Sequence, residues 1–257
     1  MHISVLLNEA IQALNLKDDG IYVDATLGYA GHSSEILKRV RRGCLFAFDQ
    51  DSDAINYSRD KLSKIGNNFT IIYSNFINMK EELKKRNVDK VDGILFDLGV
   101  SSVQLDEVDR GFSYHNDAKL DMRMDKNKEL SAYEVVNNYD EERLVEIFFK
   151  YGEEKYSRSI ARAIVKYREN KKIDTTLELV DIIKSAIPMK AKKDKHPARK
   201  VFQAIRIEVN HELDILEESI NNALDLLNIG GRVVVITFHS LEDRIVKNIF
   251  KERTSID

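Results

Sequence analysis

The sequence contains one cysteine, two prolines and no tryptophan among its 257 residues. The single cysteine, Cys44, excludes an internal disulfide and any cysteine-rich metal site, and it fits a reducing cytoplasm. No apolar run approaches the ~18 residues needed to cross a bilayer, and the N-terminus lacks the features of a signal peptide. We therefore expect a cytoplasmic protein with no membrane partner. No cluster of His, Asp and Glu has convincing ligand spacing, so no metal is expected.

Charge is distributed unevenly along the chain. Hydrophobic residues make up 43% of it, which is enough for a core, and the formal net charge is only −3. Residues 150–207 carry sixteen Lys and Arg against seven Asp and Glu, a local charge of +9 that leaves −12 elsewhere. This pattern has two interpretations, a segment that binds a polyanion and a solvated helical face.

Short apolar runs alternate with charged, helix-favouring segments in the first hundred residues. Their β-branched and aromatic residues run continuously, which is typical of strands buried on both faces of a parallel sheet. We predict an α/β fold with right-handed crossovers. The predicted strands are Ile21–Thr26, Cys44–Asp49, Phe69–Tyr73, Val91–Asp97 and Arg232–Phe238.

The middle of the chain lacks a convincing buried strand and has helical periodicity instead. We therefore predict a small helical lobe at 105–207, inserted into a core formed by residues 1–104 and 208–257. After it, leucines and isoleucines from Leu213 to Leu227 recur at helical spacing, which predicts one long helix there. Ligand clefts in open α/β sheets lie at the carboxyl ends of the strands.

Two features near the first two strand ends predict a nucleoside site. Residues 24–32 (DATLGYAGH) form a glycine-containing turn, where the backbone can approach a ligand closely. Asp49 ends the second strand and is placed to accept both hydroxyls of a ribose. An ordinary turn and a helix-capping acid are the structural alternatives. The turn is not G-x-G-x-x-G, so a nicotinamide-dependent oxidoreductase is poorly supported.

Two further polar motifs follow the last two predicted strands. Residues 97–104 (DLGVSSVQ) gather hydrogen-bonding groups at the usual place for chemistry in such a sheet. Residues 237–244 (TFHSLEDR) point to the same edge, and a Ser-His-Asp hydrolase is disfavoured because no G-x-S-x-G elbow is present. A loop with two methionines and alternating charge, LDMRM at 120–124, is interpreted as a cover over a cleft.

Several strings together resemble one family, from residue 2 to about 250. They are HxxVLLNE at 2–9, the turn at 24–32, DLGVSSxQ at 97–104, RGFS at 110–113, LDMRM at 120–124, HPAR at 196–199, FQAIR at 202–206 and FHSLEDR at 238–244. The chain resembles the ribosomal RNA small-subunit methyltransferase H family, also called MraW. The resemblance implies a class I, Rossmann-like methyltransferase core with an inserted helical lobe that helps to hold the RNA.

The resemblance also implies an activity, a cofactor and site residues. The family transfers a methyl group from S-adenosylmethionine to N4 of a cytidine in the decoding region of 16S ribosomal RNA, within the small ribosomal subunit. Its cofactor contacts fall on Ala30, Gly31, His32, Asp49, Phe76, Asp97 and Gln104 of this chain.

The catalytic group stays unassigned, with Asp97, Ser101, Ser102, Asp121 and His239 as candidates. Substrate-binding candidates are Arg123, Lys192, Lys193 and Arg199, and Asp117 is a second-tier candidate for positioning the cytidine.

Two departures from the family pattern bear on activity. The family usually has glycine at the position of Ala30, where a methyl group either crowds the ligand or is absorbed by a small shift of the backbone. The family also usually continues into an Arg-rich tail, without which a weaker hold on RNA is expected. An alternative is a catalytically weakened RNA-binding or ribosome-assembly module with the methyltransferase fold. The oligomeric state, a homodimer included, stays open.

Overall fold

A computed structural model describes residues 4–192 and 195–255 and contains a parallel five-stranded sheet. The strand order is β3-β2-β1-β4-β5, and every neighbouring pair is parallel. The order reverses direction between β1 and β4, which creates the switch point where open α/β sheets bind ligands. The strands are β1 (Ile21–Asp24), β2 (Cys44–Asp49), β3 (Phe69–Tyr73), β4 (Val91–Asp97) and β5 (Leu227–Ile236).

Twelve α-helices lie in the described residues. Helices that follow strands cover the sheet, and the middle of the chain is helical, as its periodicity predicts. The helices are α1 (Leu7–Leu14), α2 (Gly31–Arg39), α3 (Ser52–Ser63), α4 (Met79–Lys85), α5 (Ser102–Asp106), α6 (Ala132–Asn138), α7 (Glu141–Gly152), α8 (Ser157–Arg168), α9 (Thr176–Ser185), α10 (Arg199–Asn210), α11 (Leu216–Asp225) and α12 (Ser240–Thr254).

The sheet is buried on both faces because successive strand residues point to opposite sides. Tyr22 and Leu45 belong to one apolar core, which includes buried residues of α1 and α2. Val23 and Phe46 belong to the other, which includes buried residues of α4, α11 and α12. This two-sided burial explains the continuous apolar runs and confirms the α/β fold class.

The chain divides into two compact units. The first comprises residues 1–103 and 213–257, and the second comprises residues 104–212. The sequence placed the second boundary after residue 207, but α10 continues to Asn210, so that boundary would cut the helix. Within the second unit, α10 packs against α7, and α8 packs against α7 and α9.

Two predicted elements differ from the structure near the C-terminal part of the sheet. The last strand begins at Leu227 rather than Arg232, and it includes Gly230, whose φ is +84°. The preceding helix is therefore shorter than the apolar spacing predicts, because α11 ends at Asp225. Within residues 4–192 and 195–255, no helix combines the length and apolar character that crossing a bilayer requires.

Candidate functional site

Three acidic side chains lie near the carboxyl edge of the sheet, at the ends of β1, β2 and β4. The register pairs Asp24 with Ala47 on β2 and with Leu95 on β4. Asp49 and Asp97 therefore each extend two residues further towards the edge, at the level of Thr26. Because β2, β1 and β4 are adjacent and parallel, the three acids that end them lie along one edge of the sheet, as the sequence predicts.

Asp24 is the buried base of this arrangement. Its carboxylate accepts hydrogen bonds from the Thr26 backbone N–H at 3.0 Å and from the Ser33 hydroxyl at 2.6 Å. Thr26 in turn accepts a hydrogen bond at its Oγ1 from the Asp97 backbone N–H at 2.7 Å. Burial raises the pKa of Asp24, and the neighbouring His32 opposes that shift. These bonds tie the end of β1 to the start of α2 and to β4.

The turn after β1 is held by hydrogen bonds to three successive carbonyl oxygens. Ser58 donates to the Gly28 carbonyl at 2.5 Å, Lys61 to that of Tyr29 at 3.0 Å, and Ser34 to that of Ala30 at 2.5 Å. Gly28 has a φ of +51°, and its backbone N–H donates to Asp49. Because the carbonyls are satisfied within the protein, the turn is set before any ligand arrives.

Ala30 is fully buried and has left-handed backbone angles, with φ 60° and ψ 31°. This conformation favours glycine, because a Cβ atom crowds the neighbouring carbonyl. The residue nevertheless caps α2, which begins at Gly31. The alanine is thus accommodated in the backbone shape that a glycine would adopt.

Asp49 anchors the same turn from β2. One carboxylate oxygen accepts the Gly28 N–H at 2.9 Å, and the other accepts the Asp51 N–H at 2.9 Å. Burial raises the pKa of Asp49 to about 7, and the two backbone hydrogen bonds oppose that shift. Each oxygen has a second lone pair, so the carboxylate can still accept hydroxyl donors.

Asp97 is the least satisfied acid of the site. In the described part of the chain, its buried Oδ1 atom has no hydrogen-bond partner. Its Oδ2 atom lies 3.7 Å from His32 Nδ1, which is beyond hydrogen-bond distance. Burial, followed by the charges of Asp24 and Glu242, raises the pKa of Asp97 to about 7. A buried acceptor without a donor costs about 1–3 kcal/mol, so a donor supplied by a ligand would be favoured here.

His32 lies in the first turn of α2 with its ring almost entirely buried. Its Nε2 atom is 3.2 Å from the Val5 carbonyl oxygen, and its Nδ1 atom faces Asp97. At 3.7 Å the Nδ1 atom does not hydrogen-bond to Asp97, so the histidine leaves the Oδ1 atom of that acid unsatisfied.

His239, a catalytic candidate from the sequence, serves as the N-cap of α12. Its side chain accepts a hydrogen bond from the Glu242 backbone N–H at 3.4 Å, and its Nε2 lies 2.7 Å from Glu242 Oε1. Glu242 is buried and also accepts the Phe238 N–H at 3.1 Å. The structure therefore gives His239 a capping role, and its Nε2 atom lies against Glu242 without forming a hydrogen bond in the described residues.

The other predicted residues of this region lie after β3 and at or near the start of α5. Phe76 follows β3 and is half-buried, with its ring packed edge-on against Phe96 at 5.3 Å. Ser101 precedes α5, and Ser102 is its first residue. Gln104 is buried in α5 and belongs to the second unit.

The acidic and basic candidates of the second unit bind each other. Arg123 donates to both oxygens of Asp121, at 2.8 and 3.0 Å, and to the Lys128 carbonyl at 2.7 Å. Met122 and Met124 in the same loop are buried, so the loop turns its apolar side chains inward, and its role as a cover over a cleft stays a prediction. Arg123 and Asp121 therefore hold the loop shape, and neither is a free partner for a substrate.

The remaining basic candidates follow α9. Lys192 ends a short 3-10 helix at Met189–Lys192, Lys193 lies outside the described residues, and Arg199 begins α10. Among the residues described, the buried Nε atom of Arg199 has no hydrogen-bond partner. Asp117, the second-tier candidate, accepts the Leu177 N–H at 3.3 Å and so joins two segments of this unit.

Sequence reasoning missed several residues that shape the site. Thr26, Ser58 and Lys61 fix the turn, and Glu242 raises the pKa of Asp97. A serine and a lysine in the helix after β2 carry no local signal of this role in the sequence, although the structure buries Ser58. Glu242, in contrast, stands in the quoted FHSLEDR string beside the predicted candidate His239.

The family model that matches this chain is the MraW methylase family, over residues 1–257. The chain belongs to the MraW methylase family. Ribosomal RNA small subunit methyltransferase H of Exiguobacterium sibiricum is 58% identical over 256 residues, covering 99% of this chain and 82% of the relative. The protein of that name in Clostridioides difficile is 56% identical with the same coverage. These matches confirm the family predicted from the motifs.

Solved structures are more distant. An rRNA methylase from Streptococcus thermophilus is 19% identical with a TM-score of 0.33, covering 46% of this chain and 72% of that chain. SMU.1697c of Streptococcus mutans, solved in complex with SAH, is 13% identical with a TM-score of 0.44, covering 100% of this chain and 85% of that chain.

This MraW-family chain is a methyltransferase, and its methyl donor is S-adenosylmethionine. The residues present fit that donor. The donor carries a ribose diol and an ammonium group, and Asp49 and the unsatisfied Oδ1 atom of Asp97 are acceptors suited to these groups. The preset turn at Gly28–Ala30 adds a backbone surface between the two acids. The predicted cofactor is thus confirmed, and the residue assignments remain proposals.

Proposed function

We propose that this protein transfers a methyl group from S-adenosylmethionine to the exocyclic N4 of a cytidine in the decoding region of 16S ribosomal RNA. One observation carries the proposal: a family match over the whole chain coincides with an unsatisfied buried carboxylate oxygen, Asp97 Oδ1, at the carboxyl edge of the sheet. The base and its position follow from the motif resemblance, and the relatives named above are ribosomal RNA small subunit methyltransferases. The cytoplasm is the compartment we propose.

In this proposal the first unit binds the methyl donor through its strand ends. Asp49 accepts the ribose hydroxyls while its backbone hydrogen bonds keep the carboxylate oriented. Asp97 accepts the ammonium group, which lowers the carboxyl pKa from about 7 because a nearby cation favours the charged form. Phe76 covers one face of the adenine, and Ala30, Gly31 and His32 contact the donor from the end of the turn. The bound donor supplies an electrophilic methyl group on a sulfonium.

The amine must be oriented because N4 of cytosine is a weak nucleophile. Its lone pair is delocalised into the ring, so acceptors for its two N–H bonds must localise that pair and receive the developing positive charge. The nitrogen must also approach to about 3–3.5 Å of the methyl carbon, opposite the sulfur. We assign this orientation to the 97–104 segment, with its backbone carbonyls and the hydroxyls of Ser101 and Ser102. Asp121 is disfavoured as a proton acceptor because its carboxylate is hydrogen-bonded to Arg123. His239 stays a candidate, because its Nε2 atom lies 2.7 Å from Glu242 but has no hydrogen-bond partner in the described residues.

We assign the RNA contact to the second unit and its basic segment. The target base must leave its stack to be methylated, so single-stranded or loosened RNA is the expected substrate. Lys192, Lys193 and Arg199 then contact phosphates, and the unpartnered Nε of Arg199 supports this role. Arg123 is omitted from the contact because Asp121 and the loop carbonyls already use its donors.

The direct test is incubation with radiolabelled S-adenosylmethionine and small ribosomal subunits that lack the modification. We expect label on one cytidine of 16S RNA, located by nuclease digestion and mass spectrometry. An Asp97→Ala variant is the negative control, and an Asp60→Ala variant, which changes an exposed acid of α3, is the matched positive control. Label on a uridine or adenosine, or on a carbon of cytidine, would contradict the proposal.

The same experiment separates the alternative of an inactive RNA-binding module. That alternative rests on the alanine at position 30, which the structure places in the left-handed conformation with its carbonyl bound to Ser34. Since the turn keeps its shape, we expect turnover. RNA binding without any methyl transfer, in the presence of saturating donor, would favour the alternative.

A further inference from the structure

Four rings that are distant in sequence gather in the second unit. Tyr114 stacks on His196 with ring centroids 4.5 Å apart and an interplanar angle of 30°. His115 contacts both, with centroid distances of 4.5 Å to Tyr114 and 5.2 Å to His196. Phe202 packs edge-on against Tyr114 at 5.7 Å. We call these four residues the ring cluster.

The ring cluster leads from the protein interior to solvent. Phe202 is buried, Tyr114 and His196 are partly exposed, and His115 is exposed. His196 is fixed before α10, because its Nδ1 accepts the Ala198 N–H at 3.2 Å and its carbonyl accepts the Arg199 N–H at 3.1 Å. Of the four rings, only the buried Phe202 belongs to the hydrophobic core. The other three reach the surface, so packing of the core does not account for them.

The chain segment that contains His196 is rich in cations. Residues 184–200 include seven Lys and Arg and one Asp. Lys184 is close enough to His196 to affect its titration, and Arg199 begins the helix that follows. The guanidinium Nε of Arg199 is buried and has no hydrogen-bond partner in residues 4–192 and 195–255. Flat rings beside unmatched positive charge suit a ligand that combines flat bases with phosphates.

His196 is suited to stacking as a neutral ring. Burial lowers its pKa, and the neighbouring His115 and Lys184 lower it further. Its imidazole is therefore uncharged at neutral pH and needs no counter-ion when a base packs on the cluster.

We propose that Tyr114, His115 and His196 form a stacking platform for an unpaired base of single-stranded RNA, with Arg199 and Lys184 contacting the adjacent phosphates. Stacking on aromatic side chains is how proteins commonly hold splayed-out bases, and every base offers a flat face to such a platform. This inference rests on the proposed function, because it identifies a contact through which the second unit binds its RNA substrate. It concerns a base that flanks the target rather than the methylated cytidine.

The test measures binding of a fluorescein-labelled twelve-nucleotide oligocytidine to the full chain by fluorescence anisotropy. We expect Tyr114→Leu to weaken binding roughly tenfold, which is within the usual effect of removing one stacked base. Tyr114→Phe, which keeps the ring, should bind like the parent protein. Phe149→Leu is the matched control, because it removes another exposed ring of the same unit, 70% exposed on α7. A fully paired duplex should not distinguish Tyr114→Leu from the parent.

Two further measurements separate the platform from folding and from the proposed function. Thermal melting and calorimetric binding of S-adenosylmethionine should be unchanged in Tyr114→Leu if the protein is folded. In methyl-transfer assays on small subunits, the KM for RNA should rise about tenfold while the KM for the donor stays the same. A variant that loses its fold is replaced by His115→Ala, whose ring is exposed.

The outcomes are distinct. If the parent protein methylates small subunits and both Tyr114→Leu and His115→Ala bind oligocytidine as it does, the platform is disproved and the proposed function stands. If the parent protein binds the donor but neither binds nor methylates RNA, both proposals are wrong. If Phe149→Leu weakens binding as much as Tyr114→Leu, the ring cluster has no special role and the platform is again disproved.

Discussion

The two units differ in whether their buried acidic side chains have basic partners. In the second unit, several buried or partly buried acids are paired with arginines, as Asp121 is with Arg123 and Glu212 with Arg206. Glu208 accepts hydrogen bonds at 2.9 Å from both Tyr139 and Arg143. In the first unit, the acids at the sheet edge have no such partner: no Lys or Arg of the described chain forms an ion pair with Asp24, Asp49 or Asp97.

This difference separates charges that build the fold from charges that remain available. A matched pair has satisfied its hydrogen-bonding capacity and stabilises a loop or a helix contact. A buried carboxyl without such a partner has a raised pKa, because burial disfavours its charged form. It also keeps an unsatisfied acceptor atom, as Asp97 does. We infer that unmatched groups mark where a ligand binds, and the following variants test that inference.

The largest effect is expected from Asp97→Ala. Loss of a charged acceptor for the ammonium group should weaken donor binding by about 2–3 kcal/mol and abolish most methyl transfer. Isothermal titration calorimetry measures the binding directly. The control is Asp60→Ala, which changes an exposed acid and should bind the donor like the parent. If Asp97→Ala also binds the donor as tightly as the parent, unmatched acids do not mark the ligand site.

The pH dependence sharpens the same point. Because the pKa of Asp97 is about 7, lowering the pH from 8 to 6 should weaken donor binding about tenfold, since only the carboxylate holds a cation. Without the donor the sign reverses: the raised pKa stabilises the fold fully below 3.8, and that contribution is lost as pH rises through about 7. Both trends should shrink in Asp97→Asn, although Asp49, with a similar pKa, leaves a residual slope. Calorimetry at several pH values measures the trend in donor binding, and chemical denaturation measures the trend in stability. The absence of either trend would contradict the raised pKa of Asp97.

A somewhat smaller effect is expected from Asp49→Ala. Removing the ribose acceptor should weaken donor binding by roughly 1–3 kcal/mol, and it also frees the Gly28 N–H. The variant should lose far less affinity for adenine alone, which has no ribose, than for the full donor. Unchanged affinity for S-adenosylmethionine would remove the ribose assignment.

In the second unit, we expect the cations that we assign to the RNA contact and the paired cation Arg123 to respond differently. Charge reversal of Lys192, Lys193 and Arg199 to Glu should weaken RNA binding by about 1 kcal/mol or more and flatten its salt dependence. Arg123→Ala should leave the salt slope unchanged and instead lower the free energy of unfolding by about 1 kcal/mol, because Asp121 loses its partner. Equal salt slopes for the parent and the triple variant would mean that this segment is a solvated helical face and does not bind RNA.

The smallest effect is expected from Ala30→Gly. Glycine relieves the left-handed strain, which favours the fold, but it removes a buried methyl group, so stability should change by less than about 1 kcal/mol. Turnover should stay within a fewfold of the parent. A large gain in methyl transfer would mean that the alanine distorts the turn, in support of the weakened-module alternative.

The sequence predicts the sheet well because buried parallel strands are continuous apolar runs, and each ends in a recognisable turn. It places Asp49 and Asp97 at the edge for the same reason. It cannot show that Asp121 is hydrogen-bonded to Arg123 or that His239 lies against Glu242, since pairing depends on side-chain geometry. Nor does it bring Tyr114 to His196, because that contact depends on how the helices of the second unit pack.

The central claim is that the ends of β1, β2 and β4 hold the methyl donor. A crystal structure of the full chain with S-adenosylhomocysteine tests it most directly. We predict the ribose hydroxyls within hydrogen-bond distance of the Asp49 carboxylate, and the ammonium group at Asp97 Oδ1. A product bound elsewhere, or one that leaves Asp97 Oδ1 without a donor, would contradict the account.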